Sequence, residues 1–171
     1  MLNYLMNAIL IITVLICLYT DLKDRRIYNK VLLPTLILGV ILNVFLNGFQ
    51  GLLNSVLGFG IGLAFLIIPF ALGGIGGGDV KLIAVVGAIK GWEFVVYTAL
   101  GMGIFGGLIA ILILIKQGRL LRTLKEFFRG VWILFGSKFK VVSFNVDSEK
   151  FMFPYGVAIA LGVASAMVIL R

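Results

Sequence analysis

Six apolar runs, separated by short charged or glycine-rich segments, govern what this chain can fold into. They are Leu5–Tyr19, Val31–Leu46, Leu52–Leu72, Val80–Ile89, Phe94–Ile115 and Phe153–Leu170. A helix needs roughly 20 apolar residues to cross a bilayer core, where each backbone polar group must be satisfied within its own segment. The fourth run is the shortest. Hydrophobic residues make up 61% of the chain and charged ones 13%, too little polar surface to coat a globule in water. The expectation is an all-α polytopic membrane protein with about six transmembrane helices, forming a single domain over residues 1–171. The N-terminal stretch MLNYLMNAILIITVLICLYT lacks a basic leading region and a small-residue cleavage site, so it reads as a retained first span.

The net charge of +8 does not point to nucleic acid, because the basic residues lie in short loops between apolar runs. They read instead as topology signals beside anionic lipid. Lys23, Arg25, Arg26 and Lys30 follow the first run, and eight more lie between Lys116 and Lys150. Six spans place both basic loops on one side, expected to be the cytoplasm, with Lys81 beside them. Residues of about 118–136 differ from the rest. Arg119, Arg122, Lys125 and Arg129 recur at helical spacing, as do Leu120, Leu124, Phe127, Val131 and Leu134. One basic face and one apolar face predict an amphipathic helix lying in the cytoplasmic interface. The lone Cys17 is expected to pack. With no histidine in the chain, a Cys/His zinc site is implausible.

Of seven acidic residues, Asp147, Glu149, Glu126 and Glu93 fall in polar, interfacial or outer segments. Asp21, Asp24 and Asp79 stand at membrane boundaries, where charge is costly and function is the default reading. The six-span topology puts Asp21 and Asp79 at similar depth on one side. Two carboxylates sharing a low-dielectric site do not both ionise easily, so one keeps a proton while the other acts as a base. Such a pair can activate water and protonate a leaving amine. Gly76-Gly77-Gly78 lets the backbone approach another segment closely, and Asp79 then opens a helix whose N-terminus favours negative charge. Lys81 has two readings, a second support for that charge or a side chain snorkelling to the headgroups. The pairs Gly58/Gly62 and Gly103/Gly107 are assigned to close helix packing.

GGGDVKL (Gly76–Leu82) resembles the GxGD signature of the type IV prepilin peptidases. DLKDRRIYN (Asp21–Asn29) is similar to that family's first aspartate segment, and FPYGVAIALG (Phe153–Gly162) to its last block. The blocks fall in family order over nearly the whole chain. Tyr28 and Val157 depart from it, each standing where the family often has proline. The resemblance implies an aspartic endopeptidase with Asp21 and Asp79 as its catalytic pair and Gly76, Gly78 and Lys81 as supporting residues. Asp24 is the rival of Asp21. The implied substrate is a pilin precursor with a basic leader and an apolar helix, cleaved at the cytoplasmic face of the bacterial inner membrane. Neither cofactor nor metal is expected, nor the methyltransferase activity of bifunctional relatives, which carry an extra region with paired cysteines. Two alternatives are a small ion-coupled transporter, which would use these acids as ion sites, and a non-enzymatic pilus-assembly subunit.

Overall fold

The computed structural model describes residues 2–71, 74–118 and 155–170. Among them are five helices and no strand: α1 (Leu2–Asp24), α2 (Asn29–Ala71), α3 (Gly77–Lys90), α4 (Trp92–Lys116) and α5 (Tyr155–Ile169). Three of these, α1, α2 and α4, are long and apolar enough to cross a membrane. This is coarser than the six spans expected. The second and third apolar runs both lie in α2, on either side of a break at Gly48, and α3 and α5 are short, at 14 and 15 residues. The amphipathic helix expected near 118–136 lies, from residue 119 on, outside the described residues.

The chain divides into two compact units, residues 1–106 with 154–171, and residues 107–153. Of the second, the described part is the end of α4 from Gly107 and the turn that closes it. There Gly118 takes φ +65° and donates its N–H to Ile115 O at 3.0 Å. A glycine suits this left-handed cap, since it has no Cβ to clash.

In the first unit, α2 reverses at Gly48, where φ 55° and ψ −134° lie outside the helical region. Straight, its 43 residues would span about 65 Å, roughly twice a hydrocarbon core. Asn47-Gly48 is a turn signal in the sequence, and the contacts on either side show a true change of direction. The first half arrives at the C-terminal end of α3. Gly39 abuts Ile89, and Asn43 Nδ2 donates to Ala88 O at 3.1 Å and to Ile89 O at 2.9 Å. The second half departs from that end, with Gly58 against Gly87, Gly62 against Ala84, and Phe70 against Gly77.

These close approaches put α3 at the centre. Leu82, Ile83, Ala84, Val86, Ala88 and Ile89 are almost fully buried, while Ile12, Leu15, Ile37, Phe45 and Ile68 point outward as a lipid-facing surface would. A Cβ at Gly58 or at Gly87 would strike the backbone of the other. Gly62 has the same constraint, because its Cβ would lie 2.8 Å from Ala84 Cα. The packing expected of Gly58 and Gly62 is therefore present. That expected of Gly103 and Gly107 is not, since nothing among the described residues comes within 4 Å of a Cβ at either. On α4, Gly101 is the glycine that packs, against Gly162 of α5.

Helices α1 and α3 run antiparallel. Lys90 Nζ, at the end of α3, donates to Asn7 Oδ1 near the start of α1 at 2.7 Å. Their other ends therefore bring Asp21 and Asp79 to the same end of the unit.

Candidate active site

Three helix termini build the site. The first is the end of α1. Arg25 adopts φ +52° and donates its N–H to Asp21 O at 2.9 Å, closing the helix in a left-handed cap. For a residue with a Cβ that conformation costs about 1–2 kcal/mol. The cap leaves Asp21 one turn inside the helix end and half-buried, with Asp24 on the exposed side. Asp24 accepts a hydrogen bond from the Tyr28 hydroxyl at 3.1 Å. That bond, with the charge of Asp24 behind it, pushes the Tyr28 phenol above its usual range.

The second terminus is the start of α3. Gly76 is its N-cap, extended at φ −75° and ψ 146°, with no side chain to cap the helix. Asp79, in the first turn, reaches back to the Gly76 backbone, so one carboxylate supplies the reciprocal half of a capping box. A Cβ at Gly76 would lie 3.1 Å from Asp79 Oδ2, and one at Gly78 would lie 2.9 Å from Ile27 Cβ. A side chain at Gly76 would crowd the carboxylate, and one at Gly78 would force Ile27 to shift. The first glycine clears the carboxylate, and the second lets the loop after α1 lie on the start of α3.

Asp79 is only 7% exposed, and its Oδ1 has no hydrogen-bond partner. It precedes the apolar run of α3 and lies outside the three helices long enough to cross a membrane. Burial first, and the nearby charge of Asp21 second, push its carboxyl up to about 7 against the opposing bond to Gly76. The two acids are therefore within each other's electrostatic reach.

The third terminus is the start of α5. Gly156 N–H donates to Asp21 Oδ2 at 2.9 Å. A Cβ at Gly156 would lie 2.6 Å from the same oxygen. Tyr155 sits beside it in the field of Asp79. Cys17, one turn before Asp21 and 1% exposed, is in the field of both acids. It packs, as expected, and it does so directly beneath the pair.

Asp21, Asp79, Gly76 and Gly78 thus come together, and Asp24 stays apart at the surface. Lys81 is exposed and donates to Asn29 Oδ1 at 3.2 Å. It ties α3 to the start of α2, a role that neither sequence reading of this lysine anticipates. Sequence reasoning also missed Gly156 and Asn29 as individual residues. Each belongs to a block whose pattern was visible, but no spacing rule says which backbone amide will meet which carboxylate. Chemically, the site offers a hydrated carboxylate held by a backbone N–H beside a buried carboxyl that favours its proton. That is an acid–base pair.

The sequence model of the type IV leader peptidase family matches residues 8–111, a stretch that includes Asp21, Gly76, Gly78, Asp79 and Lys81. No curated protein and no solved structure matches the chain.

Proposed function

Because the chain belongs to the type IV leader peptidase family, we propose that it is an aspartic endopeptidase that removes the basic leader from type IV pilin-like precursors, with Asp21 and Asp79 as the catalytic pair. The observation that carries the reading is that these two carboxylates, at the end of α1 and the start of α3, lie within each other's electrostatic reach beside closely packed glycines. Aspartic proteolysis needs such a pair. One carboxylate takes a proton from water as the water oxygen attacks the scissile carbonyl, and the other hydrogen-bonds the carbonyl oxygen. Collapse of the tetrahedral intermediate then delivers a proton to the leaving amine.

The substrate reading follows from the family and from the setting. A pilin-like precursor carries its scissile bond between a basic leader and a long apolar helix. An enzyme whose acids lie at one end of apolar helices can receive that junction while the substrate helix stays in lipid. We place the site at the cytoplasmic face of the bacterial inner membrane, in a chain that crosses about six times, because the basic residues Lys23, Arg25, Arg26, Lys30 and Lys81 cluster at the same end. Leader cleavage alone is assigned. The single cysteine supplies none of the paired cysteines of bifunctional relatives.

Co-expression with a candidate prepilin tests the assignment. Asp21→Asn and Asp79→Asn should each abolish the mobility shift of the processed pilin. Intact processing in either variant rejects the catalytic pair.

A further inference from the structure

We infer that the start of α5 divides the labour of the pair, with the Gly156 amide holding Asp21 as the charged base and the shared proton resting on Asp79 as the acid. This rests on the peptidase reading and adds a positioning group, and a direction for the protons, that the reading leaves open.

The argument is one of unequal surroundings. Both acids receive a backbone N–H, Asp21 from Gly156 and Asp79 from Gly76, so hydrogen bonding alone does not separate them. Hydration does. Asp21 is half-exposed, whereas Asp79 is 7% exposed with Oδ1 unpartnered. A charge on Asp79 would leave a buried, unpaired anionic oxygen, which is among the costliest arrangements in a protein interior. A proton on Oδ1 removes that cost and provides a donor for a substrate carbonyl. The titratable groups facing Asp79 reinforce the choice. From α1 come Asp21 and Cys17, from α5 comes Tyr155, and the lysine on its own helix, Lys81, is turned to Asn29. The single titratable residue of α2, Lys30, is exposed at its start.

The cycle then balances. Asp21 takes a proton from water as the new C–O bond forms, and Asp79 gives its proton to the carbonyl oxygen. When the C–N bond breaks, Asp21 passes its proton to the amine. Asp79 recovers one from the hydroxyl of the intermediate as the carbonyl re-forms. The enzyme ends with its starting protonation.

The test uses the full chain in lipid nanodiscs. Infrared difference spectra at about pH 6 report the C=O stretch of a protonated buried carboxyl, which burial and the charge of Asp21 keep populated on Asp79. The band should vanish in Asp79→Asn and survive in Asp21→Asn. Replacing Gly156 by glycolic acid, an amide-to-ester change that deletes one N–H and adds no atom, should lower kcat about 10- to 100-fold with KM within twofold. A band lost in Asp21→Asn, or in both variants, overturns the assignment, as does an unchanged kcat in the ester. Retained cleavage in both Asn variants rejects the peptidase reading itself, whatever the band does.

Discussion

Alanine at position 156 is the most informative single change. The Cβ it adds would lie 2.6 Å from Asp21 Oδ2, 3.1 Å from Asp21 Cβ and 3.2 Å from Asp21 Cγ. All three contacts fall on one side chain, so the strain is not shared among neighbours. Asp21 would have to retreat by about 0.4 Å to reach 3.0 Å, the edge of real contacts, and by about 0.8 Å to reach the ordinary contact distance of 3.4 Å. The same movement stretches the 2.9 Å bond from the Gly156 N–H to about 3.3–3.7 Å, weakening or breaking it. A hydrogen bond to a charged group contributes about 1.5–3 kcal/mol, which corresponds to roughly 10- to 150-fold in rate if it is lost in the transition state. A displacement of about 1 Å in a reacting group is enough by itself for on the order of a hundredfold. Overpacking should cost the fold about 1–3 kcal/mol. Cleavage of a purified prepilin in nanodiscs, with thermal unfolding of the same samples, measures both. Gly60→Ala is the control, since nothing lies within 4 Å of the added Cβ. It should leave cleavage unchanged and stabilise its helix by about 0.5–1 kcal/mol. Wild-type turnover in Gly156→Ala would refute the close approach of α5 to Asp21.

Four further outcomes are expected. Asp24→Asn should cleave prepilin within about twofold of wild type, because Asp24 is exposed and bonded to the Tyr28 hydroxyl; abolished cleavage would transfer the base role from Asp21 to Asp24. Asp79 binds its proton more tightly in the folded chain than its ordinary value of 3.8, so its stabilising effect is full below about pH 4 and is lost as the pH rises through about 7. Thermal stability should therefore fall between pH 4 and pH 7 in the wild type and lose that slope in Asp79→Asn. Lys81→Ala and Asn29→Ala should each lower stability by about 0.5–1.5 kcal/mol, with the double variant no worse than either single one; full additivity in unfolding assays would show that the two do not interact. Gly58→Leu should prevent folding, because its side chain would enter the backbone of α3 at Gly87, and recovery of folded, active protein would contradict that contact.

The sequence revealed the helical, apolar character of the chain because hydropathy is additive along it. It revealed the turn at Asn47-Gly48 because a left-handed backbone is inexpensive only for a few residue types. It did not reveal that α3, the shortest of the described helices, is the buried centre of its unit. Periodicity reports which residues share a face and says nothing of what that face meets. The glycines illustrate the limit. Gly58/Gly62 and Gly103/Gly107 have the same spacing, yet among the described residues only the first pair meets another helix. At the candidate site, both carboxylates and both GxGD glycines were legible as motifs. The Gly156 amide was not, since a long-range backbone bond leaves no trace in local pattern. Nor was the bond from Lys81 to Asn29, which joins residues 52 positions apart.

Asn43 ties down the end of α3 farthest from the candidate site. Its amide grips the last carbonyls of α3, and Lys90 fastens the same end to Asn7, while the other end carries Asp79. α3 thus joins this anchored end to the acid. From Ala88 to Asp79 is about 13 Å of helix, so a tilt of about 4° at the anchored end carries the carboxylate about 1 Å. Substitutions at the opposite end of the bundle would therefore reach the candidate site. Suppressors of a damaged catalytic turn should be sought at Asn43, Gly39 and Asn7 as well as among the residues that touch the acids.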